Sequence, residues 1–170
     1  MELKNLIIDI PNYPEQGVVF RDITPILNNP SAFKTVVDQL AAYAIMQKAT
    51  VIVAPEARGF LFGPAVSYAA NLRFVPVRKV GKLPRQVVRE KYSYEYATNE
   101  LEMHLDDLKP NDQVLIVDDV LATGGTVQAI CNLVKKVQAT VVGLAFVVDL
   151  TYLNGKKNLG SYPIKTLIEY

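Results

Sequence analysis

Two adjacent carboxylates, Asp118 and Asp119, stand shortly before a loop of threonine and glycine, Thr123 to Thr126. Glycines have no Cβ, so the backbone N–H groups of this loop can approach an anion closely, and the threonines add hydroxyl donors. The two aspartates would repel a bare phosphate, so vicinal sugar hydroxyls or a hydrated Mg²⁺ suit them better. A phosphate site beside a diol site is what a ribose 5-phosphate requires.

The elements on either side of these residues must position them. Residues Val114 to Val117 are uncharged and mostly β-branched, which predicts a strand buried on both faces of a parallel sheet. A helical pattern follows from Val127 to Val137, and its N-terminal amides favour an anion. Ligands of open α/β sheets bind at this end of the strands. The alternative is a plain strand–turn–helix with solvated aspartates, and neither G-x-x-x-x-G-K-S/T nor G-x-G-x-x-G occurs in the chain.

Two further segments carry side chains suited to ligand binding. Arg58 follows a short apolar strand, Thr50 to Ala54, and precedes a helical pattern from Phe60 to Ala70. An arginine fork beside orphan helix amides is typical of a second anion site, and a surface capping arginine is the alternative. Phe20 lies in an extended segment, Val18 to Pro25, for which the alternative is a strap packed over the core.

A basic loop and a hairpin follow one another in the middle of the chain. The segment from Arg78 to Arg85 is either a solvated turn or a group of cations that neutralises a polyphosphate. Alternating strands at Val87–Tyr96 and Glu100–Leu105, with a turn at Ala97–Asn99, predict a hairpin that is typical of a mobile active-site lid. His104 is expected on its outer face, beside the glutamates two and four residues before it.

The remaining periodicities predict an α/β fold with a mostly parallel, twisted sheet flanked by helices. Helical spacing occurs over Glu2–Ile10 and in a long segment capped by Asn29 or Ser31. Further strands are expected at Arg73–Val77, at Thr140–Leu150 and, on an edge, at Ile164–Ile168, while Gly155 to Lys157 is expected to form a loop. Cys131 has helical spacing with apolar neighbours, which places it in the core.

Composition narrows the class of protein. The chain has 170 residues, half of them hydrophobic, which favours one domain with a sizeable core. Its 18 basic and 17 acidic side chains give a net charge of +1, which argues against binding to nucleic acid or to an anionic membrane. No apolar run reaches transmembrane length, the first residues carry charges where a signal peptide would be apolar, and a single cysteine excludes an internal disulfide. A cytoplasmic protein is expected.

Three stretches resemble the type I phosphoribosyltransferase family. The run V-L-I-V-D-D-V-L-A-T-G-G-T is similar to its phosphoribosyl-pyrophosphate motif, G-V-V-F-R-D-I-T-P to its purine-binding hood, and E-A-R-G-F-L-F-G to its pyrophosphate loop. The resemblance implies one domain over residues 1–170, with a hood segment at 1–28 and a flexible basic loop and hairpin lid at 78–105. It implies purine salvage, in which 5-phosphoribose moves from phosphoribosyl pyrophosphate to adenine and gives AMP and pyrophosphate.

The resemblance also implies roles for individual residues. Phosphoribosyl pyrophosphate would be bound by Arg58, Arg78, Lys79, Lys82, Tyr96, Asp118, Asp119, Ala122, Thr123, Gly124, Gly125 and Thr126. Adenine would be bound by Val19, Phe20, Arg21 and Leu121, and the catalytic set would be Glu95, Arg58, Lys82, Asp118 and Asp119. Mg²⁺ would be held through the pyrophosphate and the ribose hydroxyls. The family forms homodimers in which an arginine, here Arg78, reaches the neighbour's pyrophosphate, and Val80 stands where the family normally has proline.

Three other functions stay open at this point. The chain could use another purine base, and its hood segment would decide which. It could be a non-catalytic regulator that binds phosphoribosyl pyrophosphate on the same fold, although the basic face expected of such a regulator is missing. The run L-I-V-D-D also resembles the acidic pocket of response-regulator receiver domains, but there the pair follows the first strand.

Overall fold

The computed structural model describes residues 2–94 and 97–170. Its strands are β1 Ile8–Pro11, β2 Val19–Asp22, β3 Val51–Pro55, β4 Arg73–Lys79, β5 Val87–Tyr94, β6 Ala97–His104, β7 Gln113–Leu121, β8 Thr140–Asp149 and β9 Ile164–Glu169. Its α-helices are α1 Thr24–Leu27, α2 Pro30–Met46, α3 Gly63–Ala70, α4 Gly125–Lys136 and α5 Gly155–Asn158. Short 3₁₀ helices cover Leu3–Leu6, Arg58–Leu61 and Thr151–Leu153.

A seven-stranded sheet in the order β5-β6-β4-β3-β7-β8-β9 forms the centre of the molecule. Strands β4, β3, β7, β8 and β9 run parallel to one another, and the antiparallel hairpin β5–β6 joins them through β4. Strands β1 and β2 pair antiparallel in a separate two-stranded sheet. The predicted α/β fold with a mostly parallel sheet is confirmed, as is β9 at the edge.

The central strands are apolar throughout because helices cover both faces of the sheet. Along β7, Leu115 and Val117 face a core that includes residues of α2 and α3, while Val114 and Ile116 face a core that includes residues of α4. This alternation is the period of two that a strand imposes on its side chains. Cys131 on α4 is fully buried, which confirms its predicted place in the core.

The longest helix, α2, begins at one of its two predicted caps. The Asn29 side chain accepts a hydrogen bond from the Ala32 N–H at 3.1 Å, and Pro30 occupies the first helical position. None of the helices in residues 2–94 and 97–170 is long and apolar enough to cross a membrane.

The helix predicted over Glu2–Ile10 is wrong. A 3₁₀ turn is followed there by β1, in which Ile8 and Ile10 pair with Asp22 and Phe20 of β2. The two isoleucines are 53% and 37% exposed, so the apolar spacing does not mark one buried face. Pairing with a strand distant in sequence determines the backbone here, and a local periodicity does not contain that information.

Two details of the predicted hairpin are also wrong. Ala97–Asn99, the expected turn, are the first residues of β6 and pair with β5. Glu102 and His104 are not on an exposed face, since they are only 1% and 8% exposed. Arg89 pairs with the Glu102 carboxylate at 3.2 Å, and His104 Nδ1 lies 3.0 Å from Asp107 Oδ2. Burial of these polar groups is tolerated because each has a charged partner.

Two helical boundaries differ from the prediction as well. The segment Phe60–Ala70 is divided into a 3₁₀ turn and α3, because Pro64 favours a new helix start and has no N–H to donate backwards. Gly155 to Lys157, predicted as a loop, form most of the short helix α5.

Candidate active site

The carboxyl ends of β3 and β7 open into a polar cavity of about 440 Å³. Its lining includes Arg58, the acidic pair Asp118 and Asp119, and residues 122–126. The structure therefore brings together two motifs that are far apart in the sequence. Gly59 permits this approach, because a Cβ there would lie 2.7 Å from Pro55 Cδ and 3.1 Å from Asp118 Oδ1.

The loop that ends at the start of α4 has the geometry of an anion cradle. Gly124 adopts a φ of +88°, which favours glycine, and α4 begins at Gly125. The first N–H groups of a helix have no partner within it, so they remain available at the cavity. A Cβ on Gly125 would meet only Thr123 Oγ1 and a Tyr92 ring carbon, both at 3.9 Å, so the space beside it is open.

The two aspartates occupy different environments. Asp119 is 2% exposed, and its Oδ2 lies 2.9 Å from Arg58 Nε in an ion pair that lacks the alignment of a hydrogen bond. Asp118 Oδ1 accepts the Asp119 N–H at 2.8 Å. Burial raises the pKa of Asp118 well above its usual range, the negative charge of Asp119 adds to this, and Arg58 opposes it. The pair is therefore short of positive charge, as expected of a site that receives a cationic group.

A second cavity of about 430 Å³ adjoins the first and is mostly apolar. One wall comes from β2 and the residues before it, including Val19, Phe20 and Arg21. Arg58, Val120 and Ala122 line both cavities, so a ligand with a polar and an aromatic part can occupy them together. The opposite wall is formed by Leu150, Tyr152 and Leu153.

Leu121, predicted to bind the base, lines the polar cavity and is absent from the lining of the apolar one. It is 1% exposed, and its Cδ1 would stand 2.8 Å from a Cβ on Gly155. Val120 takes the position at the apolar cavity, because β7 continues past the aspartates and successive side chains point to opposite faces. The strand period beyond Asp119 is the signal that identifies Val120, whereas Leu150 and Tyr152 have no local signal.

The cations of the basic loop lie beside the cavity and not in its lining. The Arg78 Nη2 atom is 2.9 Å from Glu56 Oε2, and the Lys79 N–H donates to Glu56 Oε1 at 2.7 Å. Burial raises the pKa of Glu56, but the hydrogen bonds from Lys79 and Arg78 outweigh it and leave that pKa below its ordinary value. Glu56, which sequence reasoning missed, therefore fixes the start of the loop. The side chains of Lys79 and Lys82 are exposed.

The far end of the basic loop is fixed to the hairpin. The N–H groups of Lys82 and Leu83 donate to Glu102 Oε1 at 3.1 Å and 3.0 Å. The hairpin in turn reaches the anion cradle, where the Tyr92 hydroxyl lies 3.5 Å from Thr126 Oγ1. Glu95 and Tyr96, predicted as site residues, lie outside the described part of the chain.

Comparison with known proteins agrees with this geometry. The sequence profile of the phosphoribosyl transferase domain matches residues 23–165, and the chain belongs to this phosphoribosyltransferase family. Adenine phosphoribosyltransferase of Mycoplasma mycoides subsp. mycoides is 53% identical to it over 170 residues, which cover 100% of both chains.

Solved structures lead to the same enzymes. Adenine phosphoribosyltransferase from Thermoanaerobacter pseudethanolicus superimposes with a TM-score of 0.95 at 44% identity, covering 99% of this chain and 98% of that one. The Saccharomyces cerevisiae enzyme, solved with adenine and D-2,5-dideoxy-2,5-imino-altritol 1,6-bisphosphate, gives a TM-score of 0.91 at 38% identity, covering 98% of this chain and 96% of that one.

Proposed function

We propose that this protein transfers 5-phosphoribose from phosphoribosyl pyrophosphate to adenine and forms AMP and pyrophosphate, a reaction of purine salvage. The observation that carries the proposal is the pair of adjoining cavities, one polar with an anion cradle and one apolar with an aromatic wall. The yeast relative solved with adenine and an imino-sugar bisphosphate supports it, since that ligand pair combines a base with a phosphorylated sugar mimic.

Each part of the two substrates has a matching group in the site. The 5-phosphate binds the amides and hydroxyls of residues 122–126, and the ribose diol faces Asp118 and Asp119. Adenine enters the apolar cavity, where Phe20 can stack on it and Val120 packs against its edge. Arg21 and Val19 offer backbone groups at the same wall.

The acidic pair is suited to the charge that develops during the reaction. The bond from the anomeric carbon to the pyrophosphate oxygen breaks, the bond from adenine N9 to that carbon forms, and N9 loses its proton. Positive charge builds on the ribose, as it does in glycoside hydrolysis. Asp118 and Asp119 stabilise that charge, and we assign Glu95 the same role from the hairpin turn.

The departing pyrophosphate needs positive charge on the other side of the ribose. Arg58 already stands in the polar cavity, and Arg78, Lys79 and Lys82 lie on the loop beside it. We expect Mg²⁺ to bind with the substrate, because the two carboxylates and the substrate's own oxygens form the hard donor set that this ion prefers. When bound, it neutralises charge on the leaving group.

The hairpin β5–β6 is proposed to act as the lid. The Asn132 side chain donates to Glu90 Oε1 at 2.9 Å and so docks β5 on α4, next to the contact between Tyr92 and Thr126. A hairpin held there excludes water, which would otherwise capture the reactive sugar. Tyr96, near its turn, is proposed to contact phosphoribosyl pyrophosphate when the lid closes.

We propose that the working unit is a cytoplasmic homodimer. Tyr68 is 89% exposed and Leu61 39% exposed close to the Arg58 turn, and exposed apolar groups of this kind favour an interface. Arg78 at the end of β4 is proposed to reach the neighbour's pyrophosphate after leaving Glu56. Mixing Arg78→Ala chains with Asp118→Asn/Asp119→Asn chains should restore one working site per mixed dimer. No rescue in mixed dimers that are shown to form would refute a contribution across the interface.

A product assay tests the proposed reaction. The protein is incubated with Mg²⁺, phosphoribosyl pyrophosphate and, separately, adenine, guanine or hypoxanthine, and the nucleotide and pyrophosphate are measured. Adenine is expected to give AMP with one pyrophosphate per nucleotide. Faster reaction with another base would assign a different purine, and binding of phosphoribosyl pyrophosphate without any nucleotide would indicate a regulator.

A further inference from the structure

The ring of Tyr170 is placed between two cations of the N-terminal part of the chain. The guanidinium carbon of Arg21 lies 4.0 Å from the ring centroid, and Lys4 Nζ lies 4.3 Å from it. Both distances are within the range of a cation–π interaction. Arg21 belongs to β2, and its neighbour Phe20 is the aromatic wall of the apolar cavity.

The backbone of Tyr170 is tied to the opposite wall of that cavity. Its N–H donates to the Asp149 carbonyl at 3.0 Å, and the Thr151 N–H donates to the Tyr170 carbonyl at 2.9 Å. These two bonds flank Leu150, which lines the apolar cavity together with Tyr152. One residue therefore connects the hood wall to the facing wall.

Arg21 depends on the ring because little else compensates its burial on that side. Its guanidinium pairs with Asp9, which raises the pKa of Arg21 despite the opposing effect of burial. Its Nε atom is buried and has no hydrogen-bond partner within residues 2–94 and 97–170. The Tyr170 face supplies the negative potential that the uncompensated part of the guanidinium lacks.

We propose that Tyr170 is a positioning residue that holds β2 against the facing wall and so sets the affinity of the apolar cavity for the purine base. The proposal rests on the proposed function for the identity of the base. It separates two sets of contacts, because Tyr170 touches the walls of the apolar cavity, whereas the acidic pair and the anion cradle are held by β7 and α4.

Replacing Tyr170 with alanine should raise the KM for adenine about tenfold, the loss expected for partly desolvated cation–π contacts. The KM for phosphoribosyl pyrophosphate and kcat should stay within about twofold, because the polar cavity is unchanged. Tyr170→Phe keeps the ring and should restore the KM for adenine to within about twofold. Tyr170→Leu keeps apolar volume without a π face and should behave like alanine, which covers the case in which the alanine variant folds poorly.

Tyr162→Ala is the matched control. Its ring lies 5.8 Å from Lys135 Nζ beside α4, away from the apolar cavity, so its loss lowers stability without changing the KM for adenine. Equal rises in both KM values for Tyr170→Ala, an unchanged KM for adenine in both Tyr170→Ala and Tyr170→Leu, or a phenylalanine variant as weak as alanine would overturn the proposal. Adenine affinity measured by calorimetry gives the same comparison without turnover, so a wild-type protein that forms no AMP refutes the proposed function alone.

Discussion

Replacing Gly125 with valine is expected to abolish binding of phosphoribosyl pyrophosphate while leaving the fold intact. The protein itself has room for the new Cβ, since its nearest neighbours are Thr123 Oγ1 and Tyr92 Cδ2 at 3.9 Å. The branched side chain would instead stand in the polar cavity, where the 5-phosphate must approach the first amides of α4. A charge-assisted hydrogen bond contributes about 1.5–3 kcal/mol, so losing two weakens binding by about 3–6 kcal/mol, or more than ~100-fold.

Isothermal titration calorimetry with phosphoribosyl pyrophosphate and Mg²⁺ measures this loss, and thermal unfolding measures the fold. Gly124→Ala is the matched comparison: its φ of +88° is strained for alanine, and its Cβ would lie 3.1 Å from Leu159 Cγ. It should therefore lower stability by about 1–2 kcal/mol, in contrast to Gly125→Val. Wild-type affinity in Gly125→Val would refute the cradle, and a fall in Tm as large as that of Gly124→Ala would show that the effect is not local.

The acidic pair and the support beneath the cradle give three further expected results. Asp118→Asn with Asp119→Asn should lower kcat/KM by about 3 kcal/mol, or ~150-fold, and a loss below tenfold would show that neither carboxylate acts on the ribose. Because burial raises the pKa of Asp118, its ionisation opposes folding, so stability of the ligand-free protein should fall as pH rises through that raised value. Asp118→Asn should then raise Tm at neutral pH with a gain that disappears in acid, and a gain independent of pH would contradict this. Gly155→Ala would overlap the Ala122 carbonyl, and it should lower stability by about 1–3 kcal/mol and raise the KM for phosphoribosyl pyrophosphate; wild-type values of both would show that α5 does not support the cradle.

The polar cavity was predictable because its chemistry lies in consecutive residues. Asp118, Asp119 and the loop that follows them are brought together by one strand, one turn and one helix start, each with a local signal. Arg58 was predictable for the same reason, as it stands at the next such junction along the sheet. The α/β order of elements then places both junctions at the same edge.

The apolar cavity was less predictable because its walls come from distant parts of the chain. Val120 faces it, and Leu121 does not, because β7 stays paired with β8 as far as Leu121 and Asp149. The place of Tyr170 beside Arg21 likewise depends on how β9 and β2 pack. Glu102 was expected on an exposed face, but the amides of the basic loop and Arg89 hold it in the interior.

A crystal structure of the protein with AMP tests the central claim most directly, because AMP spans both cavities. We expect the 5′-phosphate on the amides of residues 124–126, the ribose hydroxyls at Asp118 and Asp119, and adenine between Phe20 and Val120. A phosphate bound at another helix end, or adenine outside the wall formed by Val19, Phe20 and Leu150, would contradict the assignment of the two cavities.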